Sequence, residues 1–166
     1  YEHDAYFSLS HRVVSQLFDL SFQLSRDAEA TAWCEEGRRR FPAEWTFAAC
    51  RLTLMGWGPL PPDTQAAHAL VEEALAAYPA PFRRALRSHL ETLAAAVHVQ
   101  AGDADGARGI LSLTPLAASP AVHVTAAGVW LLLGEEDEAL AQLRRYMTLA
   151  PGEGHHLPDA RILNPL

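Results

Sequence analysis

Apolar residues recur along most of this chain at three- and four-residue steps, and polar residues fill the positions between. The run Ala139, Leu140, Leu143, Tyr146, Met147 is one such stripe, the mark of a helix burying one face. Gly134 ahead of Glu135-Glu136-Asp137-Glu138 sets a helix stop, a turn, and acidic residues at the positive end of the next helix. Pro151-Gly152 closes that unit. Upstream, Gly102-Asp103-Ala104-Asp105 divides a long helix, about residues 82–101, from a short one at about 107–113. Alternating β-patterns are missing, and the expected fold class is all-α.

Prolines that end second helices, Pro42, Pro79, Pro115 and Pro151, recur about every 36 residues. Self-similarity at that period predicts an array in which each helix pair buries its apolar face on the next. Four units follow, at about 11–42, 43–79, 80–115 and 120–151, together spanning 11–154. Residues 1–10 are expected to be the end of a preceding helix or an extension, and 155–166 a loop or the start of a further segment. A start at Tyr1 with no charged, apolar leader fits a domain cut from a longer protein.

These residues resemble the tetratricopeptide repeat family, whose pattern runs to roughly 34 residues. In the last unit Trp130, Gly134, Ala139, Leu143 and Pro151 fall on the family's positions. Leu17, Phe18, Ala30 and Pro42 do so in the first unit, and Ala94, Ala95, Gly102, Ala107 and Leu111 in the third. The second unit departs by the insertion Gly56-Trp57-Gly58-Pro59-Leu60-Pro61-Pro62. Pro115 comes about four residues early, and Tyr146 stands where the family has a small residue. A fainter resemblance, carried by Phe41-Pro42-Ala43-Glu44-Trp45, the Trp-Gly-Pro loop and the ending from Tyr146, is to repeat regions of bacterial protein kinases and transcriptional regulators. The resemblance implies a right-handed superhelical array of antiparallel helix pairs, with the first helix of each pair lining a concave groove.

Carrying the family's groove positions onto this register gives Arg12, Asp19, Phe22 and Gln23 from the first unit, and Phe47, Arg51, Leu54 and Met55 from the second. The third supplies His89, Thr92 and Gln100, and the fourth Val124, Leu131 and Leu132. That surface grades from polar to apolar, which suits an amphipathic helix or extended peptide. Repeats that clamp a carboxylate tail use Lys and Asn. This chain has no Lys, and its one Asn is Asn164.

Composition narrows the field further. The chain of 166 residues is 49% hydrophobic with a formal charge of -7, which supports a sizeable core and argues against a nucleic-acid binder. Every basic residue is Arg, which with the Ala richness fits a GC-rich bacterial genome. No apolar stretch reaches a membrane span. Cys34 and Cys50 fall on surfaces that pack together in the family. They are expected as buried free thiols, with a disulfide as the alternative in an oxidising compartment.

No nucleophile elbow, phosphate loop or zinc-spaced ligand set is present. His155, His156 and Asp159 read as a solvated loop, and His98 as a packed core residue bonded to a backbone carbonyl. His68, His89 and His123 are isolated in sequence. Arg38-Arg39-Arg40 fits the helix dipole, and Arg83, Arg84 and Arg87 form a solvated basic face. The expectation is a cytoplasmic, non-enzymatic module without metal or cofactor. It would bind a protein or peptide partner within a larger bacterial signalling protein. The alternatives are an oligomerising spacer or a small-molecule sensor.

Overall fold

The computed structural model describes residues 5–113, 120–149 and 162. Among them the secondary structure is helical throughout, with no strand. The α-helices are α1 (Ala5–Gln23), α2 (Asp27–Arg40), α3 (Trp45–Trp57), α4 (Thr64–Ala77), α5 (Arg83–Gln100), α6 (Ala104–Leu113), α7 (Pro120–Leu132) and α8 (Glu136–Leu149). A short 3-10 turn at Ala80–Phe82 leads into α5. The chain is all-α. Helix α1 runs unbroken through His11, so residues 5–10, expected in a preceding element, are its first turns. Pro115, Pro151, His155, His156, Asp159 and Asn164 lie outside the described residues.

One turn is built three times. After α1, α5 and α7, Ser25, Gly102 and Gly134 each adopt positive φ, at 55°, 81° and 76°. The next amide in each case reaches five residues back: Arg26 N–H to Ser21 O at 2.8 Å, Asp103 to His98 at 2.9 Å, Glu135 to Trp130 at 2.9 Å. This satisfies carbonyls that a helix end leaves open. Glycine makes the left-handed conformation easy at two of these sites, and Ser25 adopts it without that freedom.

A second recurrence follows each turn. Ala30, Ala67, Ala107 and Ala139 donate to the carbonyls of Arg26, Asp63, Asp103 and Glu135, at 2.9 to 3.1 Å, in the first turn of α2, α4, α6 and α8. All four alanines are buried. A methyl there lets the second helix close on the first. Between α3 and α4 the insertion replaces the tight turn, and Asp63 caps α4 by accepting from Ala66 N–H at 2.9 Å. In α2, Asp27 and Glu29 open the helix and Arg38, Arg39 and Arg40 close it, matching its dipole.

The helices pack α1 on α2, α3 on α4 and α5, α5 on α6 and α7, and α7 on α8. Gly56 of α3 lets α5 approach closely; a Cβ there would stand 2.7 Å from that of Ala96. Three apolar clusters result. One joins Val14, Phe18 and Phe22 to Phe47, Cys50 and Leu54. A second joins Leu52, Leu70, Leu75, Leu90 and Leu93. A third joins Ala95, Ala96, Ala107, Leu111, Ala126 and Val129. Trp57, at the end of α3, packs against all three.

Cys34 of α2 and Cys50 of α3 form a disulfide, with Cα atoms 5.9 Å apart. The expectation of free thiols is therefore corrected. The two helices bring both side chains into one cluster, as the family packing implied, and close enough to bond.

Candidate functional site

Residues from α1, α3, α5 and α7 line one hollow. Ser15, Phe18 and Asp19 come from α1, and Trp45, Thr46, Ala49, Cys50 and Thr53 from α3. His89 and Leu93 come from α5 and Thr125 from α7. The spacings 15/18/19, 45/49/53 and 89/93 mark successive turns on one helix face. Together with Ile162 they enclose about 230 Å³. The floor is apolar, from Phe18, Ala49 and Leu93, and polar groups interrupt it.

Of the groove residues expected from the sequence, Asp19 and His89 line this hollow. Phe22, Phe47, Leu54, Met55, Thr92 and Val124 are buried and do not line it. Phe47 stacks on Phe41 at 5.9 Å and fills the space left by Gly37. Thr92 donates its hydroxyl to Ser88 O at 2.7 Å. Arg12, Gln23 and Gln100 are exposed outside it. Arg51 is held by Glu35 of α2 at 2.7 Å. Leu131 and Leu132 are half-buried at the end of α7, with Leu132 packed on the third cluster. The expected set is turned from the observed face because one residue of register rotates a helix position by about 100°.

His89 meets Trp45 edge to face, and burial pushes its pKa below 6.5. Thr46 contributes a buried hydroxyl with no hydrogen-bond partner among the described residues. Such a group is costly unless something satisfies it.

A second constellation was not legible in the sequence. His98 Nδ1 lies 2.7 Å from Asp103 Oδ2, and His98 Nε2 lies 3.1 Å from His68 Nε2. The backbone carbonyl expected as the partner of His98 is thus replaced by a carboxylate and a second imidazole. The other oxygen of Asp103 accepts from Gly106 N–H at 2.9 Å. These two contacts hold the Asp103 carboxyl below its ordinary pKa, the imidazole contributing most. The chain Asp103–His98–His68 ties the α5–α6 turn to α4. His123 Nδ1, in turn, pairs with Gln142 Oε1 at 2.9 Å and joins α7 to α8. No cluster of three or more His, Cys, Asp or Glu able to hold a metal ion occurs among the described residues.

The basic residues at the start of α5 are engaged locally. Arg83 donates to Tyr78 O at 2.7 Å, and Arg87 pairs with Glu72 and Glu91 at 3.0 and 3.1 Å. Their carboxylates raise the Arg87 pKa further. No described helix is long and apolar enough to cross a membrane.

No protein-family model, curated protein or solved structure matches this chain.

Proposed function

We propose that this chain is a non-catalytic, tetratricopeptide-like superhelical array that binds a peptide or a neighbouring domain through its concave groove. The observation that carries the reading is the groove's origin. Its walls come from α1, α3, α5 and α7, the first helix of each of four successive pairs. The recurring turns and buried alanines support the repeat. An apolar floor with scattered polar groups suits a peptide held by a few apolar side chains and oriented by hydrogen bonds. At about 230 Å³ the hollow is smaller than the roughly 300–1,000 Å³ of typical small-molecule sites, which favours a peptide over the sensor reading. The placement within a larger bacterial signalling protein is carried by the resemblance alone. The Cys34–Cys50 bridge favours an oxidising compartment over the cytoplasm.

The test is selection of a displayed random-peptide library on the full chain, followed by calorimetry. Ser15→Trp, which fills the groove from its edge, should weaken a selected peptide at least tenfold and leave the helical circular dichroism unchanged. Failure to enrich any peptide, or equal binding by Ser15→Trp, removes the reading.

Self-association is a second reading with its own observation. Val13, Leu20 and Leu24 are each more than half exposed, and they form one stripe along α1 and the turn that follows it. Light scattering over a hundredfold concentration range checks it. A constant monomer mass rejects assembly.

A further inference from the structure

Ile162 lies far beyond α8 in sequence, yet it is buried in the cluster built by Val14, Phe18 and Phe22 of α1 and Phe47 and Leu54 of α3. On the α7 side it meets Gly128. A methyl group added at Gly128 would overlap Cγ2 of Ile162 and stand 2.8 Å from its carbonyl oxygen. The three atoms nearest to that missing methyl all belong to Ile162. A glycine inside a helix is unfavourable relative to alanine, and here the space it leaves is taken by this one residue, side chain and backbone together. The hollow beside Ile162 also holds the unpartnered hydroxyl of Thr46, a group that a bound peptide backbone could satisfy.

Resting on the groove as a peptide site, we propose that it recognises a branched aliphatic side chain on a backbone lying against Gly128. Ile162 of the same chain holds the position against Gly128 at the wall of the hollow, and an external peptide of that chemistry enters by displacing it. The shape of the site selects the class. Apolar Phe18, Ala49 and Leu93 and the missing methyl of Gly128 accept an isoleucine-sized group together with its carbonyl, whereas an acidic side chain would be stripped of water and set on the hollow that already carries Asp19. Tethering gives the internal segment a high effective concentration. If Ile162 is seated in about 99 of 100 molecules, an external competitor is weakened about a hundredfold, because only the open fraction binds. The groove is thereby reserved for partners that out-compete Ile162 or are themselves tethered nearby.

The experiment uses the full chain as wild type, Gly128→Ala, Ile162→Asp and Ile162→Val. The first readout is the rate at which trypsin cuts the Arg161–Ile162 bond under native conditions, followed by mass spectrometry. Wild type and Ile162→Val should be protected. Gly128→Ala and Ile162→Asp should be cut at least tenfold faster at unchanged helicity. The second readout is binding of a labelled synthetic decapeptide of residues 157–166. It should bind Ile162→Asp at least tenfold more tightly than wild type, and Gly128→Ala more weakly than Ile162→Asp. Should Ile162→Asp fail to fold, Gly128→Ala still decides the first readout. Equal cleavage of wild type and Gly128→Ala overturns the seating of Ile162, whatever else the groove binds. Protection of the wild type, with a decapeptide that ignores the opened groove of Ile162→Asp, overturns the peptide-site reading itself.

Discussion

Trp45 and His89 meet edge to face across α3 and α5, with ring centroids 5.8 Å apart and planes at 88°. Burial holds the His89 pKa below its ordinary value of 6.5, so the folded chain takes up this proton less readily than the unfolded chain. The stability attached to the neutral ring is fully present above the unfolded value, about 6.5. It is lost as the pH falls from there toward the lower folded value. The melting temperature should therefore drop between pH 7.5 and pH 5.5, and by less in His89→Gln. Thermal denaturation followed by circular dichroism checks this, and an identical drop in the variant would clear His89. Asp19 is the other titratable group on the same hollow, so Asp19→Asn is the matching control.

The Cys34–Cys50 bridge closes a loop of 16 residues. Loops of that size are worth about 3 kcal/mol when the constraint acts on the unfolded chain. A phosphine reductant should lower the melting temperature by several degrees, and Cys34→Ser/Cys50→Ser should reproduce the loss and abolish the response. A melting curve indifferent to reductant would exclude the bridge.

The alanines that open each second helix set how closely the pairs close. Ala107→Leu or Ala139→Leu should destabilise by about 1–3 kcal/mol through overpacking, because both sites are buried. Ala77→Leu, on an exposed face, should be nearly silent. Urea denaturation separates the cases; three equal midpoints would contradict the recurrence of the alanine site.

Arg51 is held by Glu35, and the pair is partly exposed. Such pairs contribute about 0–1 kcal/mol. Arg51→Glu should shift stability by no more than that, and Glu35→Arg/Arg51→Glu should recover it. Peptide binding in the groove should be unaffected, in contrast to what the family register implies for this position. A tenfold loss of binding would restore Arg51 to the site.

The helices and most turns were legible because each carries a local signal: apolar stripes, acidic first turns, glycines at 102 and 134. Ser25 was not, since serine gives no warning of positive φ. Which residues of α1, α3, α5 and α7 line one hollow was not readable. Periodicity gives a stripe without its phase, and Phe22, Leu54 and Val124, expected in the groove, are buried. His68 and His98 were missed for a different reason. They stand 30 residues apart on helices whose contact no local pattern predicts. Ile162 lies past the last periodic unit, where nothing in the sequence distinguishes an anchored residue from a loop. The cysteines show the limit from the other side: proximity followed from the packing of α2 and α3, and bonding did not.

Repeat arrays ordinarily melt in pieces, because each unit touches only its neighbours. Trp57 changes that expectation. The one side chain stands against all three clusters, at the head of the long insertion between α3 and α4. Losing any cluster exposes part of the same indole, so the free energies of the three are coupled through it. The insertion that Trp57 opens thus works as a keystone, tying three apolar clusters into a single cooperative unit.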